Sequence, residues 1–255
     1  MVYLIIIFIV IFIFWFYWVL RSINPWKFYL YIGKKGSGKS CLAVDIANRK
    51  RKALVYDKFE SFPKRFKLVP LKLYSNFDIQ GVEYEYFNPL ELGITFYPVP
   101  YSILLCDEIS TYWLSRNFKT MSQDTLNWFI NQRKHRCMFY GFTQSFNIDK
   151  QLRNLTDRMA LVKSFLITFT CVRTISKMPD IKESAMDCDS QLVDVIKFDS
   201  ILMPGAIRFL WLPKYYKMFD TNERFDKSKH SAAKENVGSE LPSEGLLKLP
   251  AQNIE

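Results

Sequence analysis

Gly33-Lys34-Lys35-Gly36-Ser37-Gly38-Lys39-Ser40 satisfies the pattern G-x-x-x-x-G-K-[ST] at every fixed position. This is the pattern of a phosphate-binding loop, the Walker A motif. Its glycines let successive backbone N–H groups turn inward onto phosphate oxygens. Its lysine reaches the β and γ phosphates, and its last hydroxyl can ligate Mg²⁺. The flanks agree. Phe28-Tyr29-Leu30-Tyr31-Ile32 is a β-rich run, and Cys41-Leu42-Ala43-Val44-Asp45-Ile46-Ala47 reads as a helix start. Strand, glycine loop and helix is the order required, because the helix N-terminus adds its positive end to the phosphate site. Gly33, Gly36, Ser37, Gly38, Lys39, Ser40 and Cys41 are therefore the nucleotide-binding candidates, and ATP with Mg²⁺ is the implied cofactor. A plain surface glycine loop is the bland alternative, and the flanks argue against it.

The N-terminus carries the second signal. Met1 to Leu20 holds no charged side chain and is almost wholly Ile, Phe, Val, Leu, Trp or Tyr. About 20 apolar residues at ~1.5 Å each span a hydrocarbon core. Trp15, Tyr17 and Trp18 crowd one end, as interfacial aromatics do. Arg21, Lys27, Lys34 and Lys35 follow. The positive-inside rule then predicts a single-pass anchor with everything beyond it in the cytoplasm. A cleaved leader is the rival reading, but no basic n-region and no A-x-A-like site accompany the run. A core helix packed at the surface of a domain would have a polar face, whereas this segment is apolar on every face.

The remainder of the 255 residues is long enough for one domain with a full core. Cys41, Cys106, Cys137, Cys171 and Cys188 are scattered without a C-x-x-C pair, and only two histidines are present. That spacing argues for reduced thiols and against zinc. Net charge is +10 with pI near 9.3. From Asp220 onward five basic residues face seven acidic ones, so the preceding chain is more basic than the whole. Such a balance suits nucleic acid or an anionic bilayer, and a generic basic surface is equally compatible.

The expected organisation is an anchor over 1–20, a juxtamembrane link over 21–27, one domain over 28–220 and a polar tail over 221–255 whose composition predicts disorder. Within the domain, expected strands are Phe28–Ile32, Ala53–Tyr56, Leu68–Tyr74, Glu83–Phe87, Ser102–Cys106, Met138–Thr143, Val193–Phe198 and Ile207–Leu212. Lys58 to Lys67 reads as polar and irregular. Helices are expected over Gly38–Lys50, Asp124–His135 and Asp149–Met159. The second of these should make its apolar contacts through Leu126, Phe129 and Ile130. Ala160–Ile175 is apolar but interrupted by Lys163 and Arg173, which predicts paired strands and not a second span.

Ser102-Ile103-Leu104-Leu105-Cys106-Asp107-Glu108 has the form of the second half of the site, the Walker B motif. A buried strand delivers Asp107 beside the phosphate loop, where open α/β sheets place ligands. Asp107 is expected to hold Mg²⁺ with Ser40, and Glu108 to orient or deprotonate the attacking water. Gln144 follows the strand Met138–Thr143 and becomes a γ-phosphate sensor if that strand neighbours Ser102–Cys106. Arg116, Arg133, Arg136, Arg153 and Arg158 compete as the guanidinium that a neighbouring subunit would offer to the transferred phosphoryl group. Lys34 and Lys35 either help neutralise phosphate or face solvent.

With these pieces placed, the chain resembles the zonula occludens toxin-like ATPases of filamentous bacteriophages, relatives of the FtsK/HerA class of ring motors. The resemblance covers roughly residues 28–220. It rests on the phosphate loop, Tyr74-Ser75-Asn76 where the family ends a strand in Thr-Asn, Asp107-Glu108 with Arg116 downstream, and Arg133 ahead of Thr143-Gln144. Ile148-Asp149 with Arg153, and the closing Tyr215-Tyr216-Lys217-Met218-Phe219-Asp220-Thr221, complete it. Lys134 replaces the family's histidine after Arg133, and the anchor precedes the ATPase region where many members place it after.

The resemblance implies a RecA-like three-layer α/β P-loop NTPase core with one N-terminal transmembrane helix. Lys39, Glu108, Gln144 and Arg133 would be its catalytic residues. It further implies an ATPase that drives assembly and extrusion of a filamentous phage, working as a homo-oligomeric ring. Single-stranded DNA and phage coat or other assembly proteins would be its partners. A cellular or plasmid DNA translocase of the same class, and a low-turnover nucleotide-switched membrane scaffold, are the alternatives.

Overall fold

The computed structural model describes residues 2–22, 25–56, 66–113, 121–145, 148–165, 168–183, 190–201 and 205–218. The chain divides into two units, Met1–Asp220 and Thr221–Glu255. The second lies outside the described residues, as do Arg116, Cys188, most of the expected irregular stretch 58–67, and Phe219 to Thr221.

Helix α1 (Val2–Ser22) covers 21 residues, about 31 Å at the usual rise. Its side chains are described from Tyr3 to Phe14, and all of those are exposed. Among the described residues, no helix is long and apolar enough to cross a membrane.

The remaining elements follow in order. They are β1 (Phe28–Ile32), α2 (Lys39–Arg49), β2 (Lys52–Tyr56), β3 (Phe66–Pro70), β4 (Lys72–Ser75), β5 (Glu85–Tyr86), β6 (Ser102–Cys106), α3 (Ile109–Tyr112), α4 (Gln123–His135), β7 (Cys137–Thr143), α5 (Lys150–Asn154), β8 (Arg158–Phe165), β9 (Phe169–Glu183), β10 (Ser190–Phe198) and β11 (Ile207–Trp211). The main sheet runs β10-β9-β8-β1-β7-β6-β4-β5, with β11 also on β9, while β2 and β3 form a separate hairpin. Strands β8, β1, β7, β6, β4 and β5 are parallel to one another in that order. Strands β9, β10 and β11 extend the sheet in antiparallel fashion.

Alternation along the central strands explains the layers. Tyr29, Tyr31, Tyr140 and Phe142 face α2, joined by Ile103, Leu105 and Met138. Phe28, Leu30, Leu104 and Phe139 face the other way, onto Trp113, Trp128, Phe129 and Leu152. Parallel strands buried on both faces need apolar residues at every position, which is why β6 and β7 read as continuous runs. The result is helix, sheet and helix: the expected three-layer α/β core.

Several element expectations are corrected. Leu68–Tyr74 is not one strand. Pro70 has no N–H to continue the ladder, so β3 stops there and β4 starts afresh in the other sheet. The helix expected over Asp149–Met159 ends at Asn154. The chain then turns so that Asp157 N–H reaches the Phe28 carbonyl at 3.0 Å and β8 pairs with β1. In α4 the buried face is Thr125, Trp128, Phe129 and Gln132, whereas Ile130 is 56% exposed. Two polar residues on that face are satisfied: Thr125 Oγ1 donates to the Leu92 carbonyl at 2.8 Å and Gln132 Nε2 to that of Cys137 at 2.9 Å. Residues 158–165 and 169–175 form paired strands, as expected.

Candidate functional site

The phosphate loop leaves the C-terminal end of β1 and enters α2. Gly33 N–H donates to the Thr143 carbonyl at 3.0 Å, tying the loop to the end of β7. A Cβ on Gly33 would sit 2.5 Å from the Val162 carbonyl oxygen, so the close approach to β8 requires glycine. Gly38, at φ 89°, caps α2 in a left-handed conformation, and a Cβ there would collide with Thr170 and Leu212. The Thr170 hydroxyl donates to the Ser37 carbonyl at 2.9 Å.

Lys39 is buried, and its ammonium donates to the carbonyls of Gly33 at 3.0 Å and Lys34 at 3.3 Å. The Ser37 hydroxyl is buried with no hydrogen-bond partner among the described residues. Such an orphan costs free energy unless a ligand meets it. A glycine loop with an orphaned hydroxyl and a buried ammonium fits a polyphosphate. Lys34 and Lys35 are exposed. The Cys41 thiol is buried and pushed up to about 11, so its side chain is inert packing.

Strand β7 lies between β1 and β6. It carries the gap that separates the phosphate-loop strand from the Asp107 strand, and it ends at Gln144. Gln144 Nε2 donates to Glu108 Oε1 at 2.6 Å. Ser40 Oγ donates to Asp107 Oδ2 at 3.4 Å. The two expected magnesium ligands thus face one another across the loop. Hard oxygens of this kind suit Mg²⁺, which takes one or two protein ligands and completes its shell with phosphate and water. Among the described residues no cluster of three or more His, Cys, Asp or Glu occurs.

Burial first, and the charge of Glu108 second, raises the Asp107 carboxyl above the usual range. A bound cation would reverse that cost. Glu108 adopts φ 46°, a left-handed conformation uncommon for a side-chain-bearing residue. Its N–H donates to Asp107 Oδ1 at 3.0 Å, and its carbonyl accepts from Thr111 at 2.8 Å. These bonds hold the strained turn and aim the carboxylate at Gln144.

Asn76 is a site residue whose role the sequence did not disclose. Its Oδ1 accepts from Asp107 N–H at 2.7 Å and its Nδ2 donates to the Asp107 carbonyl at 3.0 Å. The side chain, just past the end of β4, therefore clamps the backbone of the expected magnesium ligand. Asp45 is a second. It is fully buried in α2 and bonded by Arg49 Nε at 2.7 Å, by Tyr215 and by Arg208. A carboxylate on the apolar face of α2 was the available signal.

Among the described residues, Arg133 and Arg158 are not at the phosphate loop. Arg133 donates to Asp157 Oδ1 at 2.7 Å, and Asp157 Oδ2 accepts from Phe28 N–H at 2.9 Å. Both mark the N-terminal end of β1, a strand length of about 15 Å from the loop. Arg158 starts β8 at the same end. Arg136 lies over the Tyr101 ring, 5.1 Å from its centroid. Arg153 lies on α5.

Sheet order, glycine loop and the Ser40–Asp107 pair have the arrangement of a P-loop nucleotide site. As a sequence the chain matches no family profile and no curated protein. Among solved structures it is similar to the N-terminal domain of zonular occludens toxin from Neisseria meningitidis. That match has 15% identity, covers 76% of this chain and 98% of that one, and has a TM-score of 0.44. It is also similar to the genome packaging NTPase of Sulfolobus turreted icosahedral virus 2 in complex with ATP-gammaS, at 11% identity, 60% and 94% coverage and TM-score 0.37. A third match is the flagellar accessory protein FlaH from Methanocaldococcus jannaschii, at 12% identity, 60% and 79% coverage and TM-score 0.38.

Proposed function

We propose that this chain is a membrane-anchored ATPase that drives extrusion of single-stranded DNA through the inner membrane during filamentous phage assembly. The observation that carries the ATPase reading is the arrangement around Asp107. Ser40 and Asp107 stand 3.4 Å apart, and Glu108 and Gln144 2.6 Å apart, at the C-terminal ends of adjacent strands. Phosphoryl transfer needs positioning and charge compensation more than covalent chemistry. Lys39 compensates charge on the β and γ phosphates. Ser40 and Asp107 would hold Mg²⁺, whose contribution is to neutralise phosphate oxygens. Glu108 accepts a proton from the attacking water, and Gln144 orients it. An arginine of a neighbouring subunit, Arg133 first among the candidates, completes the site in a ring.

The motor and membrane parts rest on the family resemblance, the apolar N-terminal run and the basic balance of the chain. The test is ATP turnover by the full chain in detergent micelles, with and without single-stranded DNA. Magnesium-dependent hydrolysis that rises with DNA is expected. Nucleotide binding without turnover under any condition would replace the motor with the scaffold reading.

A further inference from the structure

The antiparallel extension presents a sheet face that the nucleotide site does not use. In β8, β9 and β11, Phe165 pairs with Phe169, Trp211 with Phe169, and Lys163 and Phe209 with Cys171. Residues directly opposite share a face. One face of the extension therefore carries Phe165, Phe169, Phe209 and Trp211, with Lys163 and Arg173 among them. The opposite face turns Val162, Val172 and Leu210 into the core under α2. Phe165 is 57% exposed, Phe209 60% and Trp211 48%. The Phe165 and Phe209 rings lie 6.5 Å apart, and Phe169 and Trp211 4.6 Å apart, at steep angles.

Charge identifies the occupant. Among residues 161–165, 169–173 and 207–211 the charged side chains on this face are Lys163 and Arg173, with neither Asp nor Glu, while Arg208 lies on the opposite face, paired with Asp45. A second copy of this basic chain offers poor complementarity to such a face. Unpaired bases offer flat rings to the aromatics and phosphates to the cations; duplex bases are already stacked. Phe169 also adjoins Thr170, whose hydroxyl holds the phosphate loop. Neighbours along a strand point to opposite faces.

We infer that this face is a stacking platform for single-stranded nucleic acid, set one residue from the phosphate loop. The inference rests on the DNA-motor reading above and names the surface that would serve it. The test is fluorescence anisotropy of a labelled thirty-nucleotide oligothymidylate with the full chain in detergent micelles.

Phe209→Ala and Trp211→Ala should each weaken binding by about 5- to 100-fold, the range measured for lost base stacking. Phe209→Tyr keeps the ring and should bind as wild type. Lys163→Ala should flatten the dependence of log affinity on log salt by about 0.7. A fluorescent ATP analogue should bind all four variants equally. Wild-type oligonucleotide affinity in both alanine variants overturns the platform while leaving the motor reading intact. So does loss of self-association in Phe209→Ala with oligonucleotide affinity unchanged, which assigns the face to a second copy. Failure of the wild-type chain to bind the oligonucleotide at low salt overturns the platform and the DNA reading together.

Discussion

Lys39, Glu108 and Asp107 are separable by what each loses on substitution. Lys39→Ala removes the ammonium that compensates phosphate charge, so nucleotide binding, followed by calorimetry, should fall below detection. Glu108→Gln keeps the size and the hydrogen bond from Gln144 but cannot take a proton. Binding should persist while turnover drops by about 10²-fold or more; a wild-type rate would remove Glu108 from the role of base. Asp107 shows a conflict between stability and function. Its carboxyl is raised by burial, so the folded protein holds that proton more tightly than the unfolded chain. Stability without nucleotide therefore falls as pH rises from the ordinary Asp range through the raised value. Asp107→Asn should raise the Tm of the nucleotide-free protein at neutral pH and flatten that slope. It should also abolish the gain in nucleotide affinity that Mg²⁺ confers. A lower Tm in the variant would contradict the burial argument.

Strand β7 and the β9–β11 extension are the elements that make the site. β7 separates β1 from β6, and so sets Gln144 opposite Glu108 and leaves the Ser40–Asp107 pair to close the gap at the loop. The extension acts through one hydroxyl. Thr170→Val deletes the bond to the Ser37 carbonyl and leaves that carbonyl buried without a partner. A net hydrogen bond contributes about 1 kcal/mol, so nucleotide affinity should fall roughly fivefold. Thr170→Ser should restore it, since the γ-methyl packs but the hydroxyl binds. Equal affinity in all three proteins would show that the extension does not position the loop.

Two predictions belong to the assembled molecule. Deleting residues 1–20 should release the protein from membranes on fractionation. In intact spheroplasts, external protease should leave residues beyond Arg21 uncut; digestion there would reverse the proposed topology. The second concerns the proposed ring. Arg133 is tied to Asp157 far from its own subunit's loop, so any part it plays in catalysis is played on a neighbour. A mixture of Lys39→Ala and Arg133→Ala chains should recover turnover that neither shows alone. Turnover per subunit should also rise with protein concentration. A rate flat on dilution, with no recovery in the mixture, would remove Arg133 from the role.

Local signals settled the glycine loop, the strand before it, the helix after it and the Asp107-Glu108 strand end. Each is a short-range pattern: a conformational need for glycine, an apolar run buried on both faces, a polar stop. The same holds for α4, whose Ser122 cap accepts from Thr125 N–H at 3.0 Å. What the chain could not disclose by itself is pairing. That β4 joins the other sheet after Pro70, that the α5 helix yields at Asn154 to β8, and that Asn76 clamps Asp107 all depend on which strand lies alongside. Arg133 makes the same point: its spacing from Thr143-Gln144 is a distance along the sequence, whereas its partner Asp157 was chosen at the other end of the sheet. Asp45 stands among the apolar residues of α2, and its partner Tyr215, 170 residues away, is visible only in the fold. Hydrogen-bond partners distant in sequence carry no local signature, because their geometry exists only once the sheet order has brought them together.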